Sequence, residues 1–154
     1  MTAFFEWVNS LAPAPIRQAH PEVRRFIKFA IVGAFGAAVD FSVLSLLYLG
    51  FHVDKYIANI FSVTAAIISN FIWNRLWTFP ESQVHGAFSQ FFQFALVNVL
   101  GLVINEAVFV AVDQYIFEPT VGHYGFLLAK ACAIGVVLFW NFGANRVTTY
   151  RHIK

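Results

Sequence analysis

The sequence predicts an all-α integral membrane protein: four transmembrane helices forming two helical hairpins, a parallel repeat, with both termini in the cytoplasm. Three observations carry that prediction. The 154 residues are 59% hydrophobic and 12% charged, and the mean hydropathy is +0.67, whereas soluble domains carry about 25% charged residues. A chain this small cannot hide so much apolar surface in a water-soluble core. Next, four stretches at about 26–49, 56–73, 91–112 and 126–142 are mostly apolar, and each falls within the roughly 17–25 residues that a helix needs to cross the hydrocarbon. Finally, the chain matches itself. At an offset of 71, Asn70/Asn141, Phe71/Phe142, Asn74/Asn145, Arg75/Arg146 and Thr78/Thr149 are identical, and Phe79 faces Tyr150. At an offset of 65, Phe26/Phe91, Phe29/Phe94, Ala30/Ala95, Val32/Val97, Gly36/Gly101 and Val43/Val108 are identical, and Asp40 faces Asn105.

Residues 1–25 read as a peripheral, interfacial segment ahead of a transmembrane domain at 26–154, with one repeat at about 26–79 and the other at about 91–150. Phe4, Trp7, Val8 and Leu11 recur at helical spacing there, and Pro13, Pro15 and Pro21 break any continuous helix. The first apolar run is longer than the 7–15 residues or so of a signal-peptide core and continues past Ala37, Ala38 and Asp40, so it reads as an uncleaved span. The turn at 50–55 is short enough to force a hairpin. The stretches 80–90 and 113–125, the latter with Pro119, Gly122 and Gly125, read as the other connections.

Basic residues set the expected orientation. Arg17, Arg24, Arg25, Lys28, Arg75, Arg146, Arg151 and Lys154 fall on one side of such a bundle, and Lys55 lies in a loop on the other. The positive-inside rule makes the crowded side cytoplasmic, with Trp73, Trp77 and Phe79 as the aromatic belt. Two hairpins of one orientation imply an axis along the membrane normal and a binding site between the hairpins. Gly33, Gly36, Ala37 and Gly101 are small enough to let helices approach closely there, between the hairpins.

Each second helix ends in two amides one turn apart, followed directly by an arginine. Asn70, Asn74 and Arg75, and likewise Asn141, Asn145 and Arg146, form a candidate site for an anionic head at the interface, since a guanidinium holds phosphate bidentately. An arginine at a helix end also serves as a snorkelling anchor, and that plainer use competes. Deeper in the bilayer lie Asp40, Asn105, Glu106 and Lys130. A charge there costs several kcal/mol unless paired, neutral or hydrated, so the four read either as a buried ion pair, with Asp40 or Glu106 on Lys130, or as a hydrated path for a polar head.

What the chain lacks excludes other classes. It has no Gly-rich phosphate loop with its Lys-Ser/Thr, no His-Glu-x-x-His and a single cysteine, Cys132. No enzyme activity, cofactor or metal is expected, and a net charge of +2, scattered, does not point to nucleic acid.

In Arg25-Phe26-x-x-Phe29-x-x-Val32-Gly33, Asp40, Asn70-x-x-x-Asn74-Arg75-x-Trp77-x-Phe79 and the echoes at 91–97 and 141–150, the chain resembles the GtrA-like family of small four-helix membrane proteins. The second motif departs from the family form, because Val147, Thr148, Thr149 and Tyr150 follow Arg146 without a tryptophan. The resemblance implies a flippase that moves a polyprenyl-phosphate-linked monosaccharide from the cytoplasmic to the outer leaflet of a bacterial or archaeal cell membrane. Glycosyltransferases of the same pathway, in polysaccharide biosynthesis, would be its partners. Four helices leave little room for a closed route, so a homo-oligomer is expected. A small proton-coupled exporter of cationic compounds and a non-transporting scaffold for a glycosyltransferase are the rival readings.

Overall fold

The computed structural model describes residues 20–121 and 125–151, apart from the side chains of Lys55, Tyr56, Glu118, Phe126, Leu127 and Lys130. The expected interfacial turn at Phe4 to Leu11 lies outside those residues. Among the described residues the chain is helical with short turns and has no strand. Helix α1 (Pro21–Ser45) begins with Pro21 in its first turn, where the missing N–H would have had no partner anyway, and His20 Nδ1 accepts from the Glu22 N–H at 3.4 Å. Pro21 therefore opens the helix, and the first span starts about five residues before the position expected from hydropathy. A wider π turn, Leu46–Gly50, carries α1 into the loop, where His52 takes a left-handed conformation with φ 54°. Asp54 Oδ1 then accepts from Ile57 N–H at 3.2 Å and caps the start of α2 (Lys55–Trp73).

Past α2 come a π turn over Asn74–Thr78 and a 3-10 helix over Pro80–Val84. Helix α3 (Ala87–Val112) continues through a π turn, Asp113–Phe117, into the short α4 (Glu118–Val121), and α5 (Gly125–Val147) follows. The stretch expected as a loop from 113 is thus helical to Val121. Nothing in Tyr115, Ile116 and Phe117 breaks a helix, and the widened turn comes just before Pro119, whose ring would crowd a regular one.

The chain divides near Gly86 into two compact units. In the first, α1 packs along α2; in the second, α3 packs along α5. Pro21–Gly50, Ile57–Thr78 and Ala87–Val121 are each long and apolar enough to cross a membrane. Helix α5 has 23 residues, about 35 Å of helix, with Ala131–Val147 as its described apolar part. Large apolar side chains such as Phe41, Phe61, Val103 and Phe139 are exposed on the chain itself, as a membrane span requires. Inside each hairpin the buried positions coincide. Phe29, Val32 and Gly36 of α1 correspond to Phe94, Val97 and Gly101 of α3, and all six are buried. Ala58, Ser62, Asn74, Thr78 and Phe79 correspond to Ala129, Ala133, Asn145, Thr149 and Tyr150, and these ten are buried as well. The sequence repeat is therefore a repeat of packing.

Candidate functional site

Gly36 and Gly101 explain why each hairpin carries its first amide. A Cβ on Gly36 would collide with the Asn70 side chain, and a Cβ on Gly101 with that of Asn141. Each asparagine lies in the space a side chain would fill, so its amide packs on the backbone of the partner helix. Asn70 Oδ1 and Asn141 Oδ1 are buried without a conventional hydrogen-bond partner. The hydrogen that stands where each Cβ would be faces that oxygen, and such a Cα–H···O contact returns about 0.5–1 kcal/mol. Of the small residues expected at close approaches, Gly36 and Gly101 serve inside their hairpins. Gly33 has open space at its Cβ position, and Ala37 is exposed.

The second amides are turned inward. Asn74 is 2% exposed and Asn145 0%. Asn74 Nδ2 donates to Asn70 O at 2.9 Å, and Asn145 Nδ2 donates to Asn141 O at 2.8 Å. Wide backbone bonds follow, Phe79 N to Asn74 O at 2.8 Å and Tyr150 N to Asn145 O at 2.9 Å. The two amides of each motif thus form a seam that binds the hairpin together and ends its second helix. One bond differs between the copies. Thr149 Oγ1 donates to Asn145 Oδ1 at 2.9 Å, while Thr78 Oγ1 and Asn74 Oδ1 are buried without partners.

Both arginines fold back on main-chain carbonyls. Arg75 Nη1 donates to Ser82 O at 3.3 Å, and its Nη2 donates to Gln83 O at 3.2 Å and His85 O at 2.8 Å. Arg146 Nη1 donates to Tyr150 O at 3.1 Å. A cation at a helix C-terminus answers the carbonyls left over there and the negative end of the dipole. The first use of the six predicted residues is therefore structural, and a phosphate would have to compete with those carbonyls for either guanidinium.

Hydropathy and spacing left out the other groups at this end of the first hairpin. Arg25 Nη1 meets Glu22 Oε1 at 2.6 Å and its Nη2 meets Glu81 Oε1 at 3.1 Å, which ties α1 to the 3-10 turn. Lys28 Nζ donates to Trp77 O at 3.3 Å and stands 5.4 Å from the centroid of the Trp77 ring. The available signal was the four-residue spacing of Arg24 and Lys28 beside a motif tryptophan.

At mid-span, Asp40 is half-buried, with Oδ1 buried and without a hydrogen-bond partner. Asn105 is half-buried and Glu106 exposed. The expected pairing of Asp40 or Glu106 with Lys130 lies outside the description, which omits the Lys130 side chain.

A family model described as the transmembrane domain of GtrA/DPMS matches residues 28–152. The chain belongs to this GtrA/DPMS transmembrane-domain family. Among its relatives, a dolichol-phosphate mannosyltransferase of Pyrococcus furiosus is 35% identical over 132 residues, 86% of this chain and 34% of that protein. The chain thus spans about a third of the mannosyltransferase's length. An uncharacterized membrane protein of Bacillus subtilis, YngA, is 26% identical over 129 residues, 84% of this chain and 81% of the relative. The GtrA/DPMS match takes in α2 to α5 entire and all of α1 beyond its first two turns, so both amide–glycine seams lie inside it.

Proposed function

We propose that this protein moves a polyprenyl-phosphate-linked monosaccharide from the cytoplasmic to the outer leaflet, without catalysing a reaction. The observation that supports this most is its likeness, over 86% of its length, to a protein named for a dolichol-phosphate substrate. In this reading the ends that hold Arg75 and Arg146 face the cytoplasm, which the distribution of basic residues supports. The sugar-phosphate head enters there, close to the buried seams Asn70–Asn74 and Asn141–Asn145, and the apolar tail stays in lipid. Arg75 and Arg146, engaged by main-chain carbonyls, hold the mouths of the two hairpins in shape. Asp40, Asn105, Glu106 and Lys130 are the polar groups the head meets deeper in the bilayer, where bare hydrocarbon would exclude it. A homo-oligomer supplies the remaining wall of the route.

The test is a leaflet-resolved assay in liposomes holding the full chain and a fluorescent polyprenyl-phosphate hexose. Wild-type protein should speed its appearance in the opposite leaflet, and a neutral prenyl-linked sugar without phosphate should gain far less. Equal rates with and without protein would remove the transport reading. Should the protein instead drive proton-coupled efflux of cationic compounds, the exporter reading would replace it.

A further inference from the structure

The basic end of the first hairpin contains cations that meet no carboxylate among the described residues. Arg25 is answered by both Glu22 and Glu81. Arg24 is exposed and Lys28 half-buried, and among the described residues neither pairs with a carboxylate. The charges that act on Lys28 are those of Arg24, Arg25 and Glu81, and Glu81 is already engaged by Arg25.

A lysine serving only as a topology marker would extend its head into water. Lys28 does the opposite: its ammonium is held between the carbonyl and the ring of Trp77. Cation–π attraction and one hydrogen bond fix its position and leave donors free, since an ammonium has three. Arg24 stands one helical turn before Lys28 on the same face, and like charges at that spacing repel. An anion bound between them turns the repulsion into attraction. The second hairpin offers no such place, for Ser89, Gln93 and Thr148 stand where the first has Arg24, Lys28 and Trp77.

We propose that Arg24, Lys28 and Trp77 form a phosphate site that takes the head of a prenyl phosphate lipid, so that recognition of the charge belongs to the first hairpin alone. This rests on the lipid-linked-sugar reading above and names the residues that hold its phosphate. The ammonium and guanidinium donate to the phosphate oxygens, and the indole keeps the ammonium from swinging away.

The experiment is calorimetric titration of the full chain in detergent with farnesyl phosphate, beside inorganic phosphate and phosphatidylglycerol, with thermal unfolding to confirm that each variant is folded. Lys28→Gln and Arg24→Gln should each weaken farnesyl phosphate about ten- to a hundredfold, the worth of one charge-assisted hydrogen bond. Lys28→Arg should bind within about threefold of wild type, since a guanidinium also donates to phosphate and stacks on indole. Unchanged binding by folded Lys28→Gln overturns the proposal, as does a loss confined to Arg75→Gln. Inorganic phosphate or phosphatidylglycerol competing at equal concentration also overturns it, by making the site one for free phosphate or for any anionic lipid. Should wild type bind and the Gln variants fail to, while wild type moves no sugar lipid between leaflets, the site stands and the transport reading falls.

Discussion

The two hairpins share one packing plan and differ in what they hold at the matching ends. In the first, Arg25 reaches the 3-10 turn through Glu81, Arg75 gathers the carbonyls of Ser82, Gln83 and His85, and Lys28 lies against Trp77. In the second, the positions of Arg25 and Lys28 are Gln90 and Gln93, and Trp77 is replaced by Thr148. The second has bonds of its own instead, Thr149 to Asn145 and Trp140 Nε1 to Val97 O at 3.3 Å. A duplicated scaffold has thus kept its amide–glycine seams twice and its Arg24–Lys28 pair beside a tryptophan once. Seam and charge are separable, and each can be tested by comparing equivalent positions.

The largest effect is expected at the glycines. Alanine at Gly36 would meet three side-chain atoms of Asn70, whereas at Gly101 the Cβ would strike Asn141 Oδ1 while Cγ and Nδ2 stand at 3.2 Å. Gly36→Ala should destabilise by about 1–3 kcal/mol, the range of overpacking, and Gly101→Ala by less, read by thermal unfolding in detergent. Adding Asn70→Ala to Gly36→Ala should recover most of that loss; additive losses would mean that the pair is not in contact.

Next comes Arg75. Its replacement by lysine keeps the charge but cannot span three carbonyls with a planar fork. Hydrogen exchange and proteolysis within residues 80–85 should rise clearly in Arg75→Lys. Arg146→Lys, which loses a guanidinium bond to the Tyr150 carbonyl, should change its own region less.

The threonines provide a smaller and sharper contrast. Thr149→Val leaves Asn145 Oδ1 without its donor and should cost about 0.5–1.5 kcal/mol, the net contribution of one hydrogen bond, while Thr78→Val removes a hydroxyl that has no partner and should be neutral or slightly stabilising. Equal losses at both positions would contradict the bonding difference between the hairpins. The smallest effect belongs to Glu81→Ala, since this carboxylate is 54% exposed on the side-chain scale and exposed ion pairs contribute about 0.2–1 kcal/mol.

The likeness of the two hairpins was legible in the sequence because packing repeats at the same spacing as the residues do: Phe29, Val32 and Gly36 are buried at the same register as Phe94, Val97 and Gly101. The functional direction of the polar residues was not. Asn74 and Asn145 stand at the same helical spacing whether they face a ligand or their own backbone, and only the partner helix decides that they turn inward. The reach of Arg75 onto carbonyls seven to ten residues on depends on the 3-10 turn after Pro80, which periodicity does not describe. The contact of Lys28 with Trp77 was hidden for a related reason: a four-carbon stem can lead to water or to the indole, and the choice is made by tertiary contacts.

The claim that charge recognition belongs to one hairpin is tested most directly by photolabelling the full chain in liposomes with a photoreactive prenyl phosphate and locating the adducts by mass spectrometry. Adducts should concentrate around Arg24, Lys28 and Trp77, and disappear when farnesyl phosphate is added in excess. Competed labelling that falls equally on the matching end of the second hairpin, around Ser89, Gln93 and Thr148, or there alone, would contradict it.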